Sequence, residues 1–154
     1  MIRFSVARLE KEPIELVGEE PAEFLEIEPS ELLTVSAPVH YDLVVKAVSG
    51  GALVEGEIGT ELTGVCGRCL TPVTREIAND RICLFLELGD ADEIDISEEL
   101  RSELLLELPM TLLCSEECRG LCPECGCNRN TTRCNCKGTS AGPSCWDALD
   151  NLKL

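Results

Sequence analysis

The feature that most constrains this chain is a dense group of cysteines towards its C-terminal end. Seven cysteines fall within twenty-three residues: Cys114, Cys118, Cys122, Cys125, Cys127, Cys134 and Cys136. A separate Cys-x-x-Cys pair, Cys66 and Cys69, lies in the middle of the chain. The surrounding segment, residues 111–140, is rich in Gly, Asn, Thr and Ser and shows no hydrophobic period. Because it cannot build a core of its own, we expect a bound metal ion to hold it together.

Zinc fits these cysteines better than disulfide bonds do. Residues 1–8 contain no apolar signal-peptide core, so we expect a cytoplasmic protein in a reducing compartment, where disulfides are rare. The total of eleven cysteines is odd, which argues against a fully paired disulfide framework. No run of eighteen apolar residues occurs, so no membrane span is expected.

Zinc geometry predicts the separation of the ligand sulfurs, and it leaves open how the thiols are divided between two sites. Four sulfurs at about 2.3 Å from zinc in a tetrahedron lie about 3.8 Å from one another, a separation that a Cys-x-x-Cys turn provides. Eight cysteines suffice for two such sites. The first, favoured if only one fills, is predicted to use Cys122, Cys125, Cys134 and Cys136. The second is predicted to use Cys66, Cys69, Cys114 and Cys118, which would tie the middle of the chain to its end.

Other assignments of the cysteines stay open at this point. Cys127 could replace one of the ligands or remain spare. An iron–sulfur cluster that includes Cys122, Cys125 and Cys127, or a redox role for the Cys66 and Cys69 pair, is also compatible with the spacing. We expect Cys83 and Cys145, which are isolated in sequence, to be small buried apolar side chains.

The rest of the chain predicts an α+β fold with mainly antiparallel β-sheet, or a partly open barrel, and one principal helix. Apolar residues alternate over 39–48, Ser49-Gly50-Gly51 supplies a hairpin turn, and a second strand leads into Cys66. Further strand segments are expected at 73–77 and 81–88, and residues 2–7 are expected to form a short strand. Residues 10–36 are interrupted by Pro and Gly and are expected to be mainly loop, with short extended or helical pieces.

Four-residue spacing of Ile96, Leu100, Leu104 and Leu108 predicts the principal helix near 96–108, with Asp95 as its cap. We therefore divide the chain into a β-rich body at 1–110, a metal-binding segment at 111–140 and a short terminal helix at 141–154. Trp146, Leu149 and Leu152 would dock that last helix on the body.

The charge pattern limits the partners that the chain can bind. The net charge is −16, so wrapping of nucleic acid by the whole surface is disfavoured, because phosphate contacts need Lys and Arg. Residues 125–140, by contrast, contain Arg129, Arg133 and Lys137 and no acidic residue. These three residues are candidates for a local contact with RNA or another partner.

No signature of catalysis is present. The chain lacks G-x-S-x-G, a phosphate-binding P-loop and H-E-x-x-H. A site of four thiolates has no open coordination position, so the predicted metal is structural. We expect neither an enzyme nor a small-molecule substrate.

The cysteine pattern resembles the YceD-like family, the large ribosomal RNA subunit accumulation proteins. The resemblance rests on Cys66-Gly67-Arg68-Cys69-Leu70, on Leu108-Pro109, on residues 114–126 with their Gly-Leu-Cys-Pro-x-Cys-Gly core, on Asn130 and on Cys134-x-Cys136. It covers about residues 52–154. The chain departs from the family pattern at Cys127, an added thiol, and at Arg129, where Leu is usual.

The resemblance implies a role in biogenesis of the large ribosomal subunit, through accumulation of 23S-type rRNA. It implies ribosomal proteins or large-subunit rRNA precursors as partners. A zinc-dependent adaptor for protein interactions, or a thiol redox sensor unrelated to ribosomes, is the alternative.

Overall fold

The computed structural model describes residues 1–30, 32–89 and 91–136, and its main feature is a five-stranded antiparallel sheet. The strands of this sheet are β2 (Ile14–Glu20), β3 (Leu33–Val35), β4 (Val39–Val48), β5 (Gly51–Val65) and β6 (Pro72–Glu87). Strand β5 pairs with β4 and β3 along one edge and with β6 along the other, while β2 lies outside β4. A second sheet joins β1 (Arg3–Ser5) to β7 (Glu93–Asp95). Both sheets are open, so the expected antiparallel fold is confirmed in its open-sheet form.

The β4–β5 hairpin forms where the alternating sequence predicts it. Strand β4 has the predicted bounds, and Gly50 adopts a φ of +88° in the turn. Val54, Ile58 and Leu62 of β5 are fully buried, as their shared face requires. The register shifts between Gly56 and Ile58, which confirms a bulge in this strand.

Strand β6 is longer than expected. The sequence predicts two segments, but one strand runs from Pro72 to Glu87, because β5 continues to pair with it across the polar residues between them. The β5–β6 hairpin is closed by the Cys66–Cys69 turn, next to the last pair, Val65 and Pro72. The first predicted cysteine pair therefore lies at one end of the sheet's longest hairpin.

The principal helix α2 (Ser97–Leu106) packs on the sheet through Leu100 and Leu104, which are fully buried together with Ile96 just before the helix. Burial of each such side chain contributes roughly 1.5–3 kcal/mol relative to exposure. The predicted cap is wrong in detail: Ile96 occupies the N-cap position, while the Asp95 carboxylate accepts a hydrogen bond from the Ser97 N–H at 3.0 Å.

The amino-terminal part differs more from the prediction. The expected strand at 2–7 is shortened to β1 because the one-turn helix α1 (Val6–Leu9) follows it directly. The stretch expected to be mainly loop contains the seven-residue edge strand β2 and a 3-10 turn, Ala22–Leu25. Phe24 and Leu25 of that turn are buried, and Arg101 of α2 donates to the Phe24 carbonyl at 2.7 Å.

The division of the chain at residues 110 and 140 stays a prediction. Cys145 and the predicted terminal helix with Trp146, Leu149 and Leu152 lie outside the described residues. Among the helices of the described part, none has the length and apolar character needed to cross a membrane.

Candidate metal centres

Four thiols from two distant parts of the chain converge at the end of the β5–β6 hairpin. The sulfurs of Cys66, Cys69, Cys114 and Cys118, here called the body cluster, all lie within 4.8 Å of one another. The Cys66 and Cys118 sulfurs are 3.8 Å apart, and those of Cys69 and Cys114 are 3.6 Å apart. These separations match the edge of a zinc–thiolate tetrahedron, about 3.8 Å. The body cluster could therefore hold a metal ion.

Backbone hydrogen bonds shape the turn that carries Cys66 and Cys69. The Cys66 N–H donates to the Thr71 carbonyl at 2.8 Å, and the Leu70 N–H donates to the Cys66 carbonyl at 2.9 Å. Leu70 adopts a φ of +58°, an uncommon conformation for a branched side chain, which lets the turn close. The sequence gives no signal for this strained position, which the surrounding contacts hold in place.

Arg68 joins the turn to the second half of the body cluster. Its guanidinium donates to the carbonyls of Glu116 and Cys118 at 3.0 and 3.2 Å. Its own carbonyl accepts from the Leu121 N–H at 3.0 Å. The segment after α2 is thus fixed on the turn by protein contacts as well as by its thiols.

The body cluster is buried and its sulfurs have polar partners. Cys66, Cys69 and Cys118 are at most 5% exposed, although Cys114 is exposed. The Asn130 side-chain amide donates to the Cys118 sulfur at 3.2 Å, and the Thr71 hydroxyl lies 3.2 Å from the Cys69 sulfur. Such outer contacts orient metal ligands and stabilise their charge. Sequence reasoning missed Thr71, and it named Asn130 only through the family pattern.

The thiol environment favours negative charge at selected sulfurs. Burial raises the pKa of Cys66, but backbone N–H groups of Cys114, Arg68 and Cys69 outweigh it and lower that pKa to about 6. Hydrogen bonds from Thr71 lower the pKa of Cys69. The neighbouring Cys118 and Cys69 sulfurs raise the pKa of Cys114 to about 12. Close thiols that share protons in this way are suited to exchange those protons for a cation.

A second group, here called the tail cluster, lies in the segment that follows. The sulfurs of Cys122, Cys125, Cys127 and Cys134 lie within 4.8 Å of one another. The Cys122 N–H donates to the Cys127 carbonyl at 2.8 Å, the Gly126 N–H donates to the Cys122 carbonyl at 2.9 Å, and Gly126 has a φ of +71°. This is the tight turn that the Cys-Pro-x-Cys-Gly sequence predicts, and it too could hold a metal ion.

Together with the nearby Cys136, the tail cluster offers one more thiol than a tetrahedral site needs. The predicted ligand set contains Cys136, whereas the tail cluster contains Cys127 in its place. Cys136 nevertheless lies close to Cys125 and Cys122. Hydrogen bonding with Cys125 is the main cause that raises the pKa of both Cys136 and Cys127 to about 12. Backbone N–H groups of Cys125 and Glu124 lower the pKa of Cys122 to about 6. The choice of Cys136 as fourth ligand therefore stays a prediction, with Cys127 as its competitor.

All ten cysteines of the described part are free thiols. One expectation is wrong: Cys83 is exposed rather than buried, because its neighbour Ile82 occupies the core-facing position of β6. Cys83 lies in neither cluster.

Two of the three predicted partner-contact residues line a hollow beside the tail cluster. Arg129 and Arg133 lie there, and Lys137 falls outside the described residues. Arg119, which sequence reasoning did not single out, lines the same hollow, whose volume is about 380 Å³. The sequence offers only a weak signal for Arg119, because it is a single arginine inside a cysteine motif.

The fold and the clusters define a class: an antiparallel β-sheet protein with a cysteine-rich C-terminal segment that could hold metal ions. Residues 84–153 match the model of a family described as the large ribosomal RNA subunit accumulation protein YceD. This match confirms the resemblance to the YceD-like family found in the motifs of the chain.

Relatives are found in bacteria and plants. An uncharacterized protein of Mycobacterium tuberculosis is 35% identical over 100 residues, which cover 55% of this chain and 48% of the relative. The chloroplastic large ribosomal RNA subunit accumulation protein YCED homolog 1 of Arabidopsis thaliana is 36% identical over 64 residues, 42% of this chain and 20% of the relative. The protein of the same name in Zea mays is 48% identical over 46 residues, 29% of this chain and 16% of the relative.

The chain thus matches about half the length of its mycobacterial relative and less of the plant proteins. No solved structure matches it.

Proposed function

We propose that this chain is a non-catalytic factor in large ribosomal subunit biogenesis that supports accumulation of 23S-type rRNA. The observation that carries the proposal is the family match at residues 84–153, which includes six of the eight predicted ligands. The plant relatives bear the name of the same function. Its partners would be ribosomal proteins or large-subunit rRNA precursors, and we place its action in the cytoplasm.

Structural zinc is part of the same proposal. The donor set is made of thiols alone, which suits zinc better than the oxygen-preferring divalent cations. Cys66, Cys69, Cys114 and Cys118 would hold one ion. Cys122, Cys125, Cys134 and Cys136 would hold the other, with Cys127 able to take the place of Cys136. Bound zinc would supply cross-links between the hairpin end and the segment that follows α2.

The geometry of the body cluster is consistent with a purely structural ion. Its four sulfurs all lie within 4.8 Å of one another, and three of the four cysteines are almost completely buried. A zinc ion held in this way has no position for a substrate or a reactive water. This supports an assembly factor over an enzyme.

Sedimentation tests the ribosomal role. The full-length tagged chain should migrate with large-subunit precursors in a gradient at mild salt, and depletion of the protein should lower the level of 23S-type rRNA. The variant Cys66→Ser, Cys118→Ser should lose the association, and Cys83→Ser, which removes a thiol outside both clusters, should keep it. A wild-type chain that stays at the top of the gradient, with unchanged rRNA, would overturn the proposal.

A thiol redox sensor or zinc-dependent adaptor is a second candidate, and one observation favours it. The four thiols of the tail cluster and the neighbouring Cys136 are one more than a zinc site uses, so one is available for oxidation. Mild oxidant should then release zinc and form a disulfide that a thiol reductant reverses. Zinc retained after such treatment would exclude the sensor.

A further inference from the structure

The hollow beside the tail cluster is lined by three arginines that form no ion pair with a carboxylate of the described residues. The ion pairs of the described residues include Arg3, Arg8, Lys46, Arg81 and Arg101, but not Arg119, Arg129 or Arg133. Acidic residues outnumber basic ones by 29 to 13 in this chain, so carboxylates are plentiful. Three unpaired guanidinium groups around one hollow therefore indicate an anionic ligand from outside the chain.

The backbone fixes the arginines that line the hollow. Leu121 and Asn128 form an antiparallel bridge, and the Arg129 N–H donates to the Gly120 carbonyl at 2.9 Å. The Arg119 N–H donates to the Asn130 side-chain oxygen at 2.8 Å. Arg119 and Arg129 thus lie on the two neighbouring chain segments that this bridge joins.

We propose that this hollow binds the phosphate backbone of single-stranded RNA through Arg119, Arg129 and Arg133. The inference rests on the proposed ribosomal function and names the contact that would serve it. Guanidinium groups donate paired hydrogen bonds to phosphate oxygens, and three of them can follow successive phosphates of one strand. Among the described residues that line the hollow, Glu124 is the one carboxylate, so the arginines outnumber the carboxylates there.

Shape and composition favour a single strand over a duplex. The hollow has a volume of about 380 Å³, which is the size of a small-ligand pocket. A duplex needs contact with a broad surface, and the chain as a whole is acidic, so the surface around the hollow should repel it. None of the described residues that line the hollow is aromatic, so these residues offer bases no ring to stack on. Recognition should therefore depend on phosphate and show little preference for sequence.

The arginine hollow is coupled to the tail cluster. Cys122, Cys134 and Cys136 line it together with the arginines, so a metal ion that draws these sulfurs together also fixes the hollow's wall. The ion would in addition offset part of the thiolate charge next to the arginines. RNA binding should then depend on bound zinc even when every arginine is present.

Fluorescence anisotropy with the zinc-loaded full-length chain and a labelled single-stranded oligoribonucleotide of about 12 nucleotides tests the proposal. Each phosphate contact that is lost should reduce the slope of log affinity against log salt concentration by about 0.7. At about 0.1 M salt, each single Arg→Gln change should therefore weaken binding about fivefold, and the change at all three positions should weaken it about 100-fold. Arg75→Gln on β6 removes the same charge elsewhere and should leave binding unchanged. Zinc content and circular dichroism should be the same in all five arginine variants.

Several results would overturn the RNA assignment. Equal RNA affinity of the wild type and the triple variant would overturn it. Inorganic phosphate or a mononucleotide that competes as well as unlabelled RNA at the same phosphate concentration would also overturn it, because this result indicates a site for free anions. Binding of an acidic peptide in preference to RNA would assign the hollow to a protein partner. If the triple variant still sediments with large-subunit precursors, the RNA-binding role of the hollow is refuted, whereas the proposed ribosomal function is not.

Discussion

Cys66 lies directly after a strand and is also a member of the body cluster. It follows the last residue of β5, is fully buried, and has its sulfur 3.8 Å from that of Cys118, which lies 52 residues further along the chain. The sulfurs of Cys69 and Cys114, which are 45 residues apart in the chain, lie 3.6 Å from each other. Bringing such distant thiols into one buried place costs chain entropy, which metal binding would offset.

Asn130 should control how tightly the body cluster holds its ion. Asn130→Ala removes the hydrogen bond to the Cys118 sulfur, and loss of an outer contact of this kind typically weakens metal affinity about 10–100-fold. Competition with a chromophoric zinc chelator measures this change. Asn79→Ala is the matched control, because the Asn79 amide donates to Glu103 instead of a sulfur. Equal affinities in the two variants would remove Asn130 from the account.

Acid should release the metal. The pKa values of Cys66 and Cys122 are lowered to about 6, so both are thiolates above that pH and bind protons below it. Because a proton competes with zinc for each sulfur, apparent affinity should fall steeply as the pH drops through about 6. Above it the affinity should rise more gently, since Cys114, with a pKa of about 12, still releases its proton on binding. Chelator competition between about pH 5 and pH 8 checks this, and a flat profile would contradict thiolate ligation.

At the scale of elements, the long β5–β6 hairpin positions the body cluster. Strand β5 also carries a bulge at Gly56, whose φ of +147° is accessible to glycine alone among common residues. A Cβ placed at this position would collide with the carbonyl oxygen of Asp42 on the neighbouring strand β4.

Gly56→Ala should therefore destabilise the sheet by about 2–4 kcal/mol. Urea unfolding followed by circular dichroism measures the loss. Gly89→Ala is the control, since nothing lies within 4 Å of a Cβ added there, and its effect should stay within about 0.5 kcal/mol. If the two variants unfold at the same urea concentration, the bulge is not under the strain described.

The elements that the sequence predicts well are those with a strict period. Strand β4 alternates and helix α2 repeats every four residues, and each buries the face that its pattern indicates. Strand β2 lacks such a signal: it lies at the sheet edge, Val17 is exposed on it, and it is defined by backbone pairing with β4. Local sequence does not encode pairing with a distant strand.

The same contrast holds within the clusters. Cys-x-x-Cys spacing predicts that Cys66 and Cys69 share a site, because one turn brings this pair together, whereas their approach to Cys114 and Cys118 arises from the fold. It does not decide between Cys127 and Cys136, which are both near Cys125 in the folded chain. Arg119 and Thr71 were missed because their roles arise from contacts across the folded segment.

At the scale of the whole molecule, the β-sheet body and the cysteine-rich segment have different sources of stability. The body has a continuous apolar core from β1 to α2, whereas residues 114–136 have few buried apolar side chains. A structural zinc site contributes about 10–16 kcal/mol of apparent binding energy, compared with about 5–15 kcal/mol for folding of a typical domain. The segment's fold should therefore depend on its metal.

Metal content per chain, by elemental analysis of the full-length protein purified without added metal or chelator, tests the central claim most directly. We predict two zinc ions per chain, one for each cluster. Cys66→Ser should lose about one of them, while Cys83→Ser should lose none. A protein with no bound metal, whose clustered cysteines are paired in disulfides, would contradict the account.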